Sequence, residues 1–261
     1  MTSPLRIERN GFVARVWLDR PDVRNALNGE LIRALAAAFA ELGAVDSGVR
    51  AIVLGGSGKA FCAGADLAFM REVAAYTWEQ NRGDAEVLAE MLWQIHSCPV
   101  PVVARIHGDC YAGGVGIASV CDIRVAAEGV TFCLSEARLG LLPATISPYV
   151  VRAMGEQAAR RYFVTAERFP AAAAKAMGFV HEVVTAEALD EKVDAIVAAL
   201  VANGPMATRA CKQLVHDVAG HEITPALRAE TARRIADMRA SPEGREGVAS
   251  FLEKRKPGWA A

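Results

Sequence analysis

A chain of 261 residues is long enough for one α/β domain with its own core, or for one domain with an added subdomain. Its 29 basic and 30 acidic residues leave a net charge of −1, so nothing in the charge points to nucleic acid or an anionic membrane as a partner. No apolar run approaches the roughly 18 residues of a membrane-spanning helix, and the first residues lack the apolar core of a secretory signal. We therefore expect a cytoplasmic protein.

The six cysteines stand apart in mostly apolar surroundings and form no CxxC pair. This spacing predicts neither a metal site nor a redox site, and we expect the thiols to be reduced and buried. They are Cys62, Cys98, Cys110, Cys121, Cys133 and Cys211.

The first part of the chain predicts alternating strands and helices. Apolar residues alternate on both sides of Asn10-Gly11, which is typical of a β-hairpin. Asn28, Asp66 and Thr77 each precede a helical pattern and are suited to cap it. The predicted elements are a hairpin over 5–18, a helix over 28–42, a core strand over 50–54, a helix from 66 and a long helix over 78–96.

The stretch from Pro101 to Glu136 carries the chemistry. A strand over 102–106 leads through a turn to the glycine cluster 113–116 and the start of a helix, so backbone N–H groups of the turn are free to bind an anion or oxyanion. A second strand over 121–126 is followed by the acid Glu136. An oxyanion site and a carboxylate on neighbouring strands are suited to proton transfer next to a carbonyl.

The second half of the chain becomes helical. Ser147-Pro148 starts a helix, further short helices cover 155–164 and 171–177, and the last strand is expected over 179–183. All segments after Thr185 have a helical pattern. We predict a mixed α/β core over residues 1–184 and a C-terminal helical subdomain over 185–261.

Several motifs together resemble the crotonase, or enoyl-CoA hydratase/isomerase, superfamily along nearly the whole chain. The combination is far more specific than any one piece. The motifs are Arg20-Pro21 with Asn25-Ala26-Leu27, Phe61 to Leu67, Gly113-Gly114 with Cys121-Asp122-Ile123, Glu136 with Gly140 and Pro143, and the ending Phe251 to Pro257.

The resemblance implies a spiral of ββα units whose C-terminal helices build trimers, often paired into hexamers, and a coenzyme A thioester as substrate. The implied reaction needs no cofactor, since coenzyme A is part of the substrate. It implies that the backbone N–H groups of Ala65 and Gly113 hold the thioester oxygen and that Glu136 is catalytic. The substrate-binding positions that it implies are Arg24, Ala26, Ala63, Asp66, Leu67, Gly114 and Gly116, with Lys256 reaching a neighbouring subunit's ligand.

One position departs from the two-glutamate hydratases. Gly116 stands where those enzymes carry their first glutamate, and the second falls on Glu136. Water addition ordinarily uses two carboxylates, whereas a single carboxylate resembles the Δ3,Δ2-enoyl-CoA isomerases. The glycine is expected to leave the volume of a carboxylate side chain free in the pocket. A substrate with its own distal carboxylate could use that volume.

A second pattern indicates one branch of this superfamily. Cys133-Leu134-Ser135-Glu136 followed by Leu142 to Pro148 resembles the hydratases of methylglutaconyl-CoA and carboxygeranoyl-CoA. Three functions stay open: hydration of a branched, carboxylated enoyl-CoA, which we prefer; double-bond isomerisation by Glu136 alone; and non-catalytic acyl-CoA binding. In isolation, Gly113-Gly114 could equally serve close helix–strand packing.

Overall fold

A computed structural model describes residues 3–260 of the chain. Met1, Thr2 and Ala261, at the outer ends of the two predicted domains, lie outside the described residues. In chain order the strands are β1 Leu5–Asn10, β2 Val13–Leu18, β3 Ala51–Gly56, β4 Ala60–Cys62, β5 Val102–Ile106, β6 Asp109–Tyr111, β7 Ile123–Ala127, β8 Thr131–Cys133, β9 Arg168–Pro170 and β10 Glu182–Val184.

The helices alternate with these strands and then continue alone. They are α1 Gly29–Gly43, α2 Leu67–Val73, α3 Trp78–His96, α4 Gly113–Val120, α5 Ser147–Met154, α6 Glu156–Thr165, α7 Ala171–Ala176, α8 Leu189–Ala202, α9 Pro205–Val218, α10 Pro225–Ala240 and α11 Pro242–Leu252. None of the helices within residues 3–260 is long and apolar enough to cross a membrane.

The larger sheet has six strands in the order β1-β2-β3-β5-β7-β10. Its first two strands form the predicted antiparallel hairpin, with Asn10 opposite Val13. The strands from β2 to β10 run parallel, and β3 is buried along its whole length, as expected for a parallel strand covered on both faces.

The smaller sheet, in the order β4-β6-β8-β9, was not predicted. Each of its strands has only three residues, too short for an alternating pattern to stand out in a sequence. The strands β4, β6 and β8 are parallel neighbours, and β9 closes the sheet antiparallel to β8.

Together the two sheets produce a repeating unit. A strand of the larger sheet leads into a strand of the smaller sheet and then into a helix: β3-β4-α2, β5-β6-α4 and β7-β8 followed by α5. This repeat is the expected spiral of ββα units. It places the chain that leaves β4, β6 and β8 at one edge of the smaller sheet.

The predicted helix caps are confirmed. The Asn28 side chain accepts from the Leu31 N–H, and Asp66 accepts from the first amides of α2. Thr77 and Gln80 form a reciprocal capping box at the start of α3. The buried face of α3 holds Met91, Leu92 and Ile95.

The last strand is shifted from its expected position. The sequence predicts 179–183, but β10 covers Glu182–Val184. Phe179 and Val180 are buried in the core just before it. Their apolar character reflects burial of a loop, which a sequence pattern does not distinguish from a strand.

Two further expectations need comment. Five cysteines are buried as predicted, but Cys211 is exposed on α9, so that part of the prediction is wrong. The helix α8 packs on the larger sheet through Leu189, Val193 and Val197. The boundary between residues 184 and 185 stays a prediction.

Candidate active site

Three predicted site residues follow three neighbouring parallel strands. Ala65 lies three residues after β4, Gly113 two residues after β6, and Glu136 three residues after β8. Because β4, β6 and β8 are parallel and adjacent, their carboxyl ends meet at one edge of the smaller sheet. The fold thus brings together groups that are up to 71 positions apart in the chain.

The bend that carries Ala65 is fixed by Leu27. The Leu27 N–H donates to the Gly64 carbonyl at 2.7 Å, and the Leu27 carbonyl accepts from the Asp66 N–H at 2.9 Å. This short parallel bridge uses the groups on both sides of Ala65 and leaves the Ala65 N–H itself without a partner among residues 3–260. The exposed Ala65 amide is therefore free to bind a ligand.

The bend that carries Gly113 is strained at the residue before it. Ala112 has φ 46° and ψ −115°, a region that residues with a side chain rarely occupy. Its N–H donates to the Cys133 carbonyl at 2.8 Å, which ties this bend to the end of β8. The Gly113 N–H starts α4 and has no acceptor in the described part of the chain.

The two bends are in direct contact. A Cβ placed on Gly64 would lie 3.1 Å from the Ala112 Cβ, and Gly64 itself has φ +93°. Glycine is needed here both for the left-handed backbone and for the close approach. A Cβ on Gly113 would lie 2.7 Å from Leu27 Cδ1, so Leu27 contacts one bend and fixes the other.

Glu136 presents a half-buried carboxyl group with one unpartnered oxygen. Its Oε2 has no hydrogen bond to any described residue, although the atom is shielded from solvent. Burial raises the pKa of this carboxyl above its ordinary value of 4.5, and a bond to its own backbone amide opposes the rise only in part. A carboxyl whose pKa is raised by burial is suited to general acid–base chemistry.

The expectation of free space beside Gly116 is wrong. A Cβ on Gly116 would overlap Ile146 Cγ2 and would lie 2.8 Å from Ile146 Cβ. Ile146 is 3% exposed and precedes α5, which packs on α4. The volume of the missing side chain is therefore filled by an apolar residue, and the role of Gly116 as a substrate contact stays a prediction.

The other predicted contacts lie around the Ala65 bend. The Ala63 N–H donates to the Arg24 carbonyl at 3.0 Å, so the segment from Arg24 to Ala26 lies beside the segment from Ala63 to Leu67. Ala26 is buried, whereas Arg24 and Leu67 are exposed. The fold brings these positions together, and their binding role stays a prediction.

Asp66 has a structural role in the chain itself. Its carboxylate pairs with Arg20 at 2.7 Å and caps α2 through the Ala68 N–H at 2.8 Å. Burial alone would raise the pKa of Asp66, but the hydrogen bonds from Arg20 and from the α2 amides outweigh it and hold the pKa below 3.8.

Two other predicted contacts have different surroundings. A Cβ on Gly114 would lie 2.5 Å from the Cys62 carbonyl oxygen, so this glycine lets α4 approach β4 closely. Lys256 is exposed beyond α11, and no side-chain hydrogen bond or ion pair joins it to either bend within residues 3–260. Over the same residues no cluster of three side chains could hold a metal ion.

Sequence reasoning missed the residues that support the site. Asn25, fully buried, accepts from the Arg20 N–H at 2.9 Å and donates to the Ser57 and Ala60 carbonyls at 2.8 Å. The available signal was a polar residue directly before the apolar pair Ala26-Leu27, since a polar side chain in a buried segment needs hydrogen-bond partners. The contacts of Leu27 and Ile146 cannot be predicted from the sequence, because an apolar residue predicts burial in the core but not the residues that it contacts.

Comparison with known proteins finds relatives along nearly the whole chain. The sequence model of the enoyl-CoA hydratase/isomerase family matches residues 8–261. The chain is 36% identical to the enoyl-CoA hydratase AKT6-1 of Alternaria alternata over 249 residues, which are 93% of this chain and 79% of that protein.

Solved structures are similar along the whole fold. An enoyl-CoA hydratase from Shewanella pealeana superposes with a TM-score of 0.94 at 38% identity, covering 98% of this chain and 95% of that one. The Pseudomonas aeruginosa protein AtuE also gives a TM-score of 0.94, at 36% identity, with 99% and 100% of the two chains covered. The folded architecture is therefore shared with these proteins.

Proposed function

The chain belongs to the enoyl-CoA hydratase/isomerase family, and on that premise we propose that it adds water to the double bond of an enoyl-CoA thioester. The observation that carries this proposal is the shielded, unpartnered Oε2 of Glu136 at the same sheet edge as two bends with free amide donors. The relatives named enoyl-CoA hydratases support the same reaction.

The proposed reaction uses three groups of the chain. The amides of Ala65 and Gly113 donate to the thioester oxygen as it gains negative charge, and each such donor contributes about 10²–10³ in rate. The Glu136 carboxylate takes a proton from a water molecule whose oxygen attacks the β-carbon. The resulting enolate collapses when the Glu136 carboxylic acid returns that proton to the α-carbon, so all atoms of the water end in the product.

The substrate class is part of the proposal. We infer a branched, carboxylated acyl group of the methylglutaconyl type, because the segment from Leu142 to Pro148 resembles hydratases of such thioesters. The distal carboxylate cannot use the volume beside Gly116, since Ile146 fills it.

A second function is favoured by the Gly116–Ile146 contact. Movement of a double bond from the β,γ to the α,β position needs only one carboxylate, which removes a proton from the α-carbon and delivers it to the γ-carbon. A site with Glu136 as its acid and an apolar neighbour at Gly116 fits this reaction. Loss of catalysis with retained acyl-CoA binding is the remaining alternative.

One experiment separates these functions. The protein is mixed with methylglutaconyl-CoA, with crotonyl-CoA and with a β,γ-enoyl-CoA, and the conjugated thioester absorbance and the product mass are followed. Hydration removes the absorbance and adds the mass of water, whereas isomerisation creates the absorbance at constant mass. We expect hydration, fastest with methylglutaconyl-CoA; equal kcat for crotonyl-CoA would contradict the carboxylated substrate, and no reaction with any thioester would contradict catalysis.

A further inference from the structure

Ile146 fills the space that a side chain at position 116 would take, where the resemblance to the two-glutamate hydratases implies their first glutamate. Gly116 lies one helical turn after Gly113 on α4, so a side chain at 116 would leave the helix on the face of the oxyanion donor. The Cβ of that side chain would overlap Ile146 Cγ2. The position is closed to any residue larger than glycine while Ile146 is present.

The surroundings of Ile146 keep it in place. It lies in the core, 3% exposed, and its carbonyl accepts from the Tyr149 and Val150 amides at the start of α5. Val150 is fully buried beside it. The α4–α5 contact therefore presents carbon atoms beside Gly116, where water would find no hydrogen-bond partner.

We propose that Ile146 is a reaction-specificity residue, whose side chain fills the place of a second carboxylate at position 116 and so confines proton transfer to Glu136. The inference rests on the proposed function. In a two-carboxylate site, one carboxylate takes a proton from the attacking water. The other is protonated and donates its proton to the α-carbon. With Ile146 in place, Glu136 performs both transfers, and reactions that need one proton shuttle are favoured over hydration of simple enoyl groups.

The first arm of the test concerns packing. Gly116→Ala should lower Tm in the wild-type background, because its Cβ meets Ile146, but should raise Tm or leave it unchanged in the Ile146→Gly background. Gly83→Ala is the matched control: it is also a helix-interior glycine, and its Cβ would meet no atom within 4 Å. This control should raise Tm. A lower Tm of Gly116→Ala in both the wild-type and the Ile146→Gly background would overturn the inference.

The second arm concerns chemistry. Hydration of crotonyl-CoA and isomerisation of a β,γ-enoyl-CoA are measured on wild type, Ile146→Gly, Gly116→Glu and the Gly116→Glu/Ile146→Gly double variant. We expect the double variant to raise the ratio of hydration to isomerisation by about 100-fold, the lower end of the effect of a positioned general acid or base. A merely structural role of Ile146 would change both reactions alike and leave the ratio unchanged.

The outcomes distinguish failure of this inference from failure of the proposed function. If wild type catalyses either reaction but the folded double variant keeps the wild-type ratio, the role of Ile146 is overturned alone. If Gly116→Glu by itself shows the full change in ratio at unchanged Tm, Ile146 does not close the position, and the inference is again wrong. If wild type catalyses neither reaction, the proposed function fails and this inference fails with it. Should the glutamate variants not fold, the packing arm decides.

Discussion

Glu136 has a carboxyl group that the fold partly shields from water. Its Oε2 is shielded and unbonded within the described chain, and its pKa is raised chiefly by burial. The ionised Glu136 carboxylate therefore lacks a donor at Oε2 among the described residues. A substrate or a water at the edge of the smaller sheet would be that donor.

The raised pKa of Glu136 makes a prediction about pH. The ionised carboxylate is needed to take the first proton, so kcat/KM should rise with pH through an apparent pKa above 4.5, the ordinary value of a glutamate. A pH–rate profile on crotonyl-CoA or methylglutaconyl-CoA measures this value. A profile that is flat from pH 4.5 to neutral pH would contradict it.

The raised pKa of Glu136 also makes the stability of the folded state depend on pH. Since the folded pKa exceeds the unfolded one, the folded state binds more protons, and ionisation of Glu136 destabilises it as pH rises from 4.5 through the folded value. Glu136→Gln should therefore have a higher Tm than wild type at neutral pH, and the gain should vanish below pH 4.5. Glu128→Gln, at an exposed position, is the control and should show no gain. Equal Tm at neutral pH would contradict the account.

A substitution at Gly113 tests the proposed oxyanion site. A valine there would press on Leu27, whose backbone fixes the Ala65 bend, and would crowd the thioester. We expect kcat of Gly113→Val to fall by about 10²–10³, as for loss of one oxyanion donor, with the protein still folded by circular dichroism. Gly83→Val, on the exposed face of α3, should keep wild-type kcat. Unchanged turnover in Gly113→Val would remove Gly113 from the site.

The strands that position the site are the part of the fold that the sequence reveals least. The hairpin, the buried strand β3 and the caps of α1, α2 and α3 are all visible as alternation, apolar runs or capping residues. β4, β6 and β8 have three residues each, and their pairing joins segments far apart in the chain. Short strands of this kind are specified by tertiary contacts, which local patterns do not contain.

The site was predictable to a similar extent. The resemblance implied roles for Ala65, Gly113 and Glu136, and these residues stand at glycine bends and at a lone acid that follow apolar segments. The filling of the Gly116 position by Ile146 was not predictable, because it depends on the packing of α5 on α4. A sequence shows that a side chain is missing but does not show what takes its space.

The pairing of Arg20 with Asp66 anchors α2 beside the Ala65 bend. Asp66→Asn keeps an acceptor for the α2 amides but loses the charge that pairs with Arg20, at a site where the Asp66 side chain is only 9% exposed. We expect the free energy of unfolding to fall by about 1.5–3 kcal/mol at neutral pH, as for a hydrogen bond to a charged group. Urea denaturation measures it.

The pH dependence of this loss has the opposite sign to that of Glu136. The pKa of Asp66 is below 3.8 in the folded state, so its contribution is present above pH 3.8 and is lost as pH falls through the folded pKa. The difference between wild type and Asp66→Asn should shrink accordingly. Glu86→Gln, which breaks a solvent-exposed pair with Arg82, is the control and should cost less than about 1 kcal/mol. An equal loss in both variants would contradict the anchoring role of Asp66.

The C-terminal helices are incompletely buried in a single chain. α10 has no buried residue, and large apolar side chains near it and on α11 are exposed, among them Ile223, Phe251 and Leu252. An apolar surface of this kind is suited to self-association. The expected trimer therefore has a surface available, although a single chain does not display the assembly.

Removal of these helices tests the assembly. A chain truncated before Glu222 should be monomeric or aggregated by light scattering, whereas the full chain should be trimeric or hexameric. Phe251→Glu, which places a charge on the exposed face, should weaken assembly, while Val45→Glu, at an isolated exposed position, should not. A well-behaved trimer of the truncated chain would contradict the role of the helices.

We infer that Glu136, at the edge where three strand ends meet, is the only protein group that transfers protons in the proposed reaction. Glu136→Gln keeps the size of the side chain and removes its acid–base function. Turnover of methylglutaconyl-CoA and crotonyl-CoA by this variant and by Glu128→Gln, together with coenzyme A binding by calorimetry, is the most direct test. We predict a loss of kcat on the order of 10²–10⁴-fold in Glu136→Gln alone, with binding retained. Near-wild-type turnover would contradict the claim and would transfer the role to another acid, with Asp109 at the start of β6 the next to be tested.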